Sequence, residues 1–248
     1  ITGTSSFTTT GAGNDIALDS ISSFTGAVSL NTAAGVGNDA SLINAAIALD
    51  LGASTVGGTY TIETNAGSIT DSGVLTITGA SSFTTSTADD DITPSQVNLF
   101  TGAVSMATNG ATGNISLTNA GQALNLGTIT TTLGGTLAIE TNVGSITDSG
   151  VITASGTSSF TTSTANDDIT LDQVNLFTGA VGLSVNGVTG DISVTNTGAA
   201  LILGTVTTTA GGDLVIENDV GGITDTGVLT ITGTSSFTTT GAGNDIAL

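Results

Sequence analysis

GGITDTGVLTITGTSSFTTT, residues 221–240, carries the rhythm on which the fold depends. It opens on a Gly turn and passes through Ile and a polar residue. It then runs into a short apolar strand ending in Gly, and another strand follows. DDITLDQVNLFTGAVGLSV (167–185) and GDISVTNTGAALILGTVTTT (190–209) keep the same order. Within these segments the apolar period is two. From Asp213 to Glu217, Leu214 and Ile216 share one face, and Asp213, Val215 and Glu217 share the other. Leu137 and Ile139 face inward with Glu140 outward; Tyr60 and Ile62 face inward with Glu63 outward. Such alternation marks strands with one buried face, broken by Gly, Asn and Asp. Thr, Ser, Gly, Val and Asn, all poor helix formers, dominate the chain.

The rhythm is itself repeated. Phe7, Phe83, Phe160 and Phe237 all stand in the word SSFTT, spaced 76, 77 and 77. FTGAV recurs at Phe24, Phe100 and Phe177, ITD at Ile69, Ile146 and Ile223. Residues 1–18 return unchanged as residues 231–248, so 77-residue units nest in a 230-residue repeat. The expected organisation is a single β-solenoid segment, 1–248, of a longer tandem array. A short strand with one apolar face is not stable alone. Stacking equivalent coils pairs each strand with its copies above and below, ~4.8 Å away.

The expected fold is all-β: a parallel β-helix (β-solenoid) with about three coils per 77-residue repeat. The leading residues Ile169, Ile192, Ile223 and Ile246 are spaced 23, 31 and 23 and set the coil boundaries. The long second coil carries the extra strand DLVIE. Ile16, Ala40, Ile69 and Ile92 match these positions in the first copy. Four coils of about 19 residues are the alternative division. Three sheets around a narrow core are expected, with Glu63, Glu140 and Glu217 three coils apart on one side, ~14 Å between them.

Lys, Arg, His, Cys and Trp are absent, and 20 acids leave a net charge of -20. Charged residues are still only 8% and mean hydropathy is +0.40, so the chain is not an acidic disordered tail. Nucleic acid is excluded as a partner, because binding it rests on Lys and Arg. Anionic membrane surfaces recruit basic segments and are excluded likewise. No apolar run approaches the ~18 residues of a spanning helix. The usual general bases, nucleophile activators and oxyanion clamps are missing, so no enzyme is expected. Glu217 and Asp225 are the nearest repeated carboxylate pair, and their recurrence argues against a unique glycoside-cleaving site.

Acids cluster at turns: Asp89, Asp90 and Asp91; Asp167 and Asp168; and the pairs Asn14-Asp15, Asn38-Asp39 and Asn244-Asp245. Clustered carboxylates with backbone carbonyls can hold Ca2+, which takes six to eight oxygens. The competing reading is turn chemistry, since Asn and Asp bond their own backbone. No other cofactor is expected. Outward Thr rows at Thr8–Thr10, Thr130–Thr132 and Thr207–Thr209 suit either an ice-binding face or a solvated strand.

GSITDSGVLTITG (67–79), GNDIAL (13–18) and DITLDQVNLFTGAV (168–181) resemble repeat regions of bacterial filamentous haemagglutinin-like exoproteins. These are large surface adhesins exported by two-partner secretion. The resemblance implies a right-handed β-helix at the bacterial cell surface, part of an adhesive or structural filament. Its partners would be other copies of the protein or cell-surface and matrix components. A self-assembling extracellular fibre subunit, or a module binding Ca2+, glycan or ice, are the alternatives.

Overall fold

The computed structural model describes residues 1–45 and 47–248. Among them every regular element is a strand, 28 in all, and every ladder between strands is parallel. The strands form a sixteen-stranded and a twelve-stranded sheet, and the chain winds between the two through about eleven turns. The second repeat shows the path. Ser81–Ala88 lies in the twelve-stranded sheet, Ile92–Thr93 and Leu99–Phe100 in the sixteen-stranded one. Val104–Asn109, Leu124–Thr131 and Ile146–Asp148 with Ile152–Ala154 then alternate with Ile115–Asn119 and Leu137–Thr141 across the two sheets.

Register sets the coil length. Ile146, Ile169 and Ile192 stack in steps of 23, then Leu214 follows after 22 and Ser235 after 21. At about 22 residues per coil, the expectation of about three coils per repeat holds and sharpens to three and a half. The half coil sends each word to the opposite sheet in the next copy. Ser5–Thr8 and Ser158–Ala165 lie in the sixteen-stranded sheet, Ser81–Ala88 and Ser235–Thr239 in the twelve-stranded one.

Three expectations change as a result. The 31-residue coil from Ile192 to Ile223 does not exist: Leu214 of DLVIE stacks on Ile192, and Ile223 stacks on Leu201 in the other sheet. Matching by word failed there because one column accepts Ile, Leu or Ser alike. Glu63 and Glu217 share a sheet seven strands apart, ~34 Å, while Glu140 is on the opposite sheet. Two sheets form in place of three. In several coils one side bends into two short strands, as in Ile69–Asp71 and Leu75–Ile77, and the bend passes to the other sheet at Ile146–Asp148 and Ile152–Ala154.

The predicted inward residues Tyr60, Ile62, Leu137, Ile139, Leu214 and Ile216 are all buried. Each repeat also places two Phe rings edge to face across the core. Phe7–Phe24, Phe83–Phe100 and Phe160–Phe177 are each 5.9 Å between centroids. The Gly of the ITG and FTG words has a packing reason. Gly79 lies on Gly58, and Gly102 on Gly79, so closely that a Cβ would press into the backbone below.

One column carries a defect. Ser158 is buried between Leu137 and Val181, and its hydroxyl has no hydrogen-bond partner; Ser81 is in the same position between Tyr60 and Val104. A buried unpaired hydroxyl costs roughly 1–3 kcal/mol. Ser158→Ala is expected to stabilise the chain by about 1 kcal/mol, read as a higher urea midpoint. A lower midpoint contradicts this.

Candidate functional site

In three runs, one in each repeat, the residue before a leading inward residue reaches out to the next coil. The Asp15 carboxylate accepts the Asp39 N–H at 2.9 Å, and Asp39 accepts the Thr59 N–H at 2.7 Å. In the second repeat Asp91 accepts from Asn114 N–H at 2.7 Å, and the Asn114 side-chain Oδ1 accepts from Thr136 N–H at 2.9 Å. In the third, Asp168, Asp191 and Asp213 accept in turn from Asp191, Asp213 and Thr234, at 2.9, 2.8 and 2.6 Å. Short Asx side chains reach backbone N–H groups well. Within each run they form a ladder of staples beside the sheets.

The sequence-predicted Asp89, Asp90 and Asp91 are adjacent in the chain but splay to different coils. Asp89 sits at φ 67° and accepts the Ala111 and Thr112 N–H groups at 2.6 and 2.8 Å, in the coil above. Asp90 accepts the Gly67 N–H at 2.8 Å, in the coil below, while Asp91 reaches upward. The third copy repeats this: Asn166 takes the place of Asp89, Asp167 accepts from Gly144 N–H at 2.8 Å, and Asp168 reaches upward. No group of three or more acidic side chains converges among the described residues. A cation at either cluster would compete with these N–H donors for the same oxygens.

Two buried carboxylates escaped the sequence reading. Asp71 accepts from Ser95 N–H at 2.6 Å and from Asn98 Nδ2 at 2.7 Å. Its counterpart Asp148 accepts from Asp172 N–H at 2.9 Å and from Asn175 Nδ2 at 2.7 Å. Both hold the loop of the next coil where the bent side turns. Their signal was the recurring ITD word.

Burial raises the Asp148 carboxyl above the ordinary range, against the bonds from Asn175, Asp172 and Gln173 that lower it. The backbone N–H groups of Thr112 and Ala111 hold exposed Asp89 below that range. The signs are opposite. The Asp89 contribution to stability is present above the unfolded value and is lost as pH falls through its depressed folded value. The Asp148 contribution is present at low pH and is lost as pH rises through its raised value. On acidification, carboxyl-carbon NMR should show Asp148 taking its proton before Asp89. The reverse order would overturn both assignments.

Corner asparagines were also missed. Asn44, Asn119 and Asn196 are fully buried, and each side-chain carbonyl accepts the N–H of an FTGAV-word Phe: Phe24 at 2.9, Phe100 at 2.9 and Phe177 at 2.7 Å. Nδ2 donates to a carbonyl of the following turn, Ile47, Gln122 or Ala199. These residues close the corner where the chain leaves one sheet for the other.

The remaining predicted residues do not assemble a reaction centre. Glu217 and Asp225 lie in different sheets. Thr131 and Thr208 are buried, so the predicted Thr rows are not outward throughout. A shallow depression of about 110 Å3 lies over Thr118, Glu140 and Thr161, with a single carboxylate. Among the described residues no helix is long and apolar enough to cross a membrane.

No curated protein and no solved structure matches the chain. A family described as repeats of unknown function (DUF5649) matches residues 37–107, 112–184 and 189–248, successive units that start 75 and 77 residues apart. On that coverage the chain belongs to the DUF5649 family of repeats of unknown function.

Proposed function

We propose that this chain is a shaft segment of an exported bacterial surface filament or large adhesin, in the manner of filamentous haemagglutinin-like exoproteins, with a mechanical role and no catalysis. The observation that carries this reading is the unbroken stack. Two continuous sheets run from end to end of the described chain, and side-chain staples tie successive coils together outside them. The inter-coil hydrogen bonds lie along the axis, so a pull on the rod is shared by every bond of a coil interface. The surface chemistry fits a passive shaft: it offers carboxylates, hydroxyls and scattered Val, with no Lys or Arg for trypsin-type cleavage. The charge of -20 holds neighbouring rods apart at separations within the ~8 Å Debye length of physiological salt.

Antibodies against purified 1–248 applied to intact producing cells test the location, and electron microscopy of the purified chain tests the shaft. Surface labelling and straight rods with an axial spacing of ~4.8 Å are expected. Retention inside intact cells would sink the proposal, as would a flexible bead-like particle.

A further inference from the structure

Asparagine is followed by glycine at Asn109-Gly110 and Asn186-Gly187, 77 residues apart; every other Asn precedes a residue with a side chain. Each of the two ends a strand, Val104–Asn109 or Val181–Asn186, and is exposed. Each side chain folds back on its own main chain, as short Asn side chains readily do. Gly110 N–H donates to Asn109 Oδ1 at 2.8 Å, and Gly187 N–H donates to Asn186 Oδ1 at 2.8 Å. With a C=O bond of ~1.2 Å, the side-chain carbonyl carbon Cγ is then at most ~4 Å from the glycine nitrogen. A near-attack pair stands at ~3–3.5 Å. Bonds to the coil below hold this arrangement. Asn109 Nδ2 donates to the Ser86 carbonyl at 2.9 Å, and Asn186 Nδ2 to that of Ser163 at 3.1 Å. The peptide carbonyl between Asn and Gly accepts Asp89 N–H in one copy and Asn166 N–H in the other, at 2.8 Å each. Gly110 and Gly187 stand at φ 93° and 96°, with no side chain to screen the nitrogen.

We propose that Asn109 and Asn186 are sites at which the folded chain modifies itself, losing ammonia to form aspartate and isoaspartate. The glycine nitrogen gives its proton to water and attacks Cγ of the asparagine. The new N–C bond closes a succinimide ring, the Cγ–Nδ2 bond breaks, and Nδ2 takes up a proton from water and leaves as ammonia. Water then adds at either ring carbonyl. Opening on one side gives aspartate; opening on the other gives isoaspartate, whose main chain runs through the former side chain. Each event consumes one water, releases one ammonia and changes no oxidation state. It also alters the stack. The Nδ2 bond to the coil below is lost, and the product carboxylate of an aspartate faces the Ser86 or Ser163 carbonyl in its place.

The two sites differ in one charge. The attacking nitrogen is negative once deprotonated, and a like charge beside it disfavours that form. Asp89 Oδ1 lies against Gly110, 2.6 Å from where a Cβ would stand, whereas the neutral Asn166 lies against Gly187. Asp89 and Asn166 are otherwise equivalent, at φ 67° and 69°, each accepting two N–H groups of the coil above. Asn186 is therefore the faster site.

Incubation of chain 1–248 in mildly alkaline buffer, followed by proteolysis and mass spectrometry, reads conversion at every Asn. Asn186 and then Asn109 should convert, each roughly tenfold or more faster than any other Asn, with isoaspartate and aspartate both present. Urea below the unfolding transition should leave the two rates unchanged, because the reacting geometry belongs to the folded chain. Asp89→Asn, which installs the residue of the third repeat, should raise the Asn109 rate to that of Asn186. Asn109→Gln should abolish conversion at that position and leave Asn186 as before. The order of the two native sites makes the same test without any substitution. Conversion confined to the denatured chain, rates that climb with urea, aspartate without isoaspartate, or Asn109 converting as fast as Asn186 would each overturn the proposal.

Discussion

Phe160→Ala is expected to cost about 3–5 kcal/mol, read by urea denaturation. Phe160 is fully buried, stacked on Ile139 and beneath Leu183, and edge-on to Phe177 at 5.9 Å. Cost at a large-to-small site depends on how far the surroundings can collapse. Here they cannot collapse far, because the backbone above and below is held in register by Leu137–Thr141 and Val181–Asn186. The loss should also be local in effect. Each coil of a solenoid touches only its neighbours, so stability is a sum along one dimension. A void in the middle of the stack should split the calorimetric transition into two parts, one for each side of residue 160. Phe160→Leu, which keeps most of the volume, should cost about 1–1.5 kcal/mol. An unchanged urea midpoint for Phe160→Ala would refute the stacked column.

Asn196→Ala should cost about 2–4 kcal/mol although it removes no apolar contact. Its Oδ1 accepts the Phe177 N–H at 2.7 Å, and its Nδ2 donates to the Ala199 carbonyl at 3.1 Å and to Asn218 Oδ1 at 2.9 Å. The side chain is fully buried, so truncation leaves those partners unpaired away from water. Hydrogen exchange supplies the specific readout. The Phe177 amide should lose protection while amides several coils away, such as Ile62, keep theirs. Asn196→Thr should be milder, because Thr64 and Thr141 already fill equivalent corner positions. Equal losses for the Ala and Thr variants would count against the corner assignment.

That corner also shows how far the sequence could be read. Alternation correctly placed Leu214 and Ile216, Leu137 and Ile139, Tyr60 and Ile62 in the core. The same parity runs on from Ile192 and Val194 to Asn196, and from Ile115 and Leu117 to Asn119. Asparagine had been read as a strand breaker, whereas parity put it inside. Its burial follows once a backbone N–H of the next turn arrives as a partner, and no local pattern shows that arrival. The acid clusters were half legible. Asp and Asn at turns signalled side-chain bonds to backbone, but not that Asp90 reaches down while Asp89 and Asp91 reach up.

By itself the sequence determined the strands, the inward placing of their alternating apolar residues, the nested repeats and the parallel stack. These follow from local alternation and from self-similarity along the chain. Only the tertiary structure decided that a coil takes about 22 residues, that two sheets close the core, and that successive repeats face opposite ways. The physical reason is that backbone ladders pair any residue with any other. A column that holds Ile192, Leu214 and Ser235 in succession carries no mark of where one coil ends. That point is set by the chain closing on the coil beneath it, a contact made in space between residues that no word in the chain links.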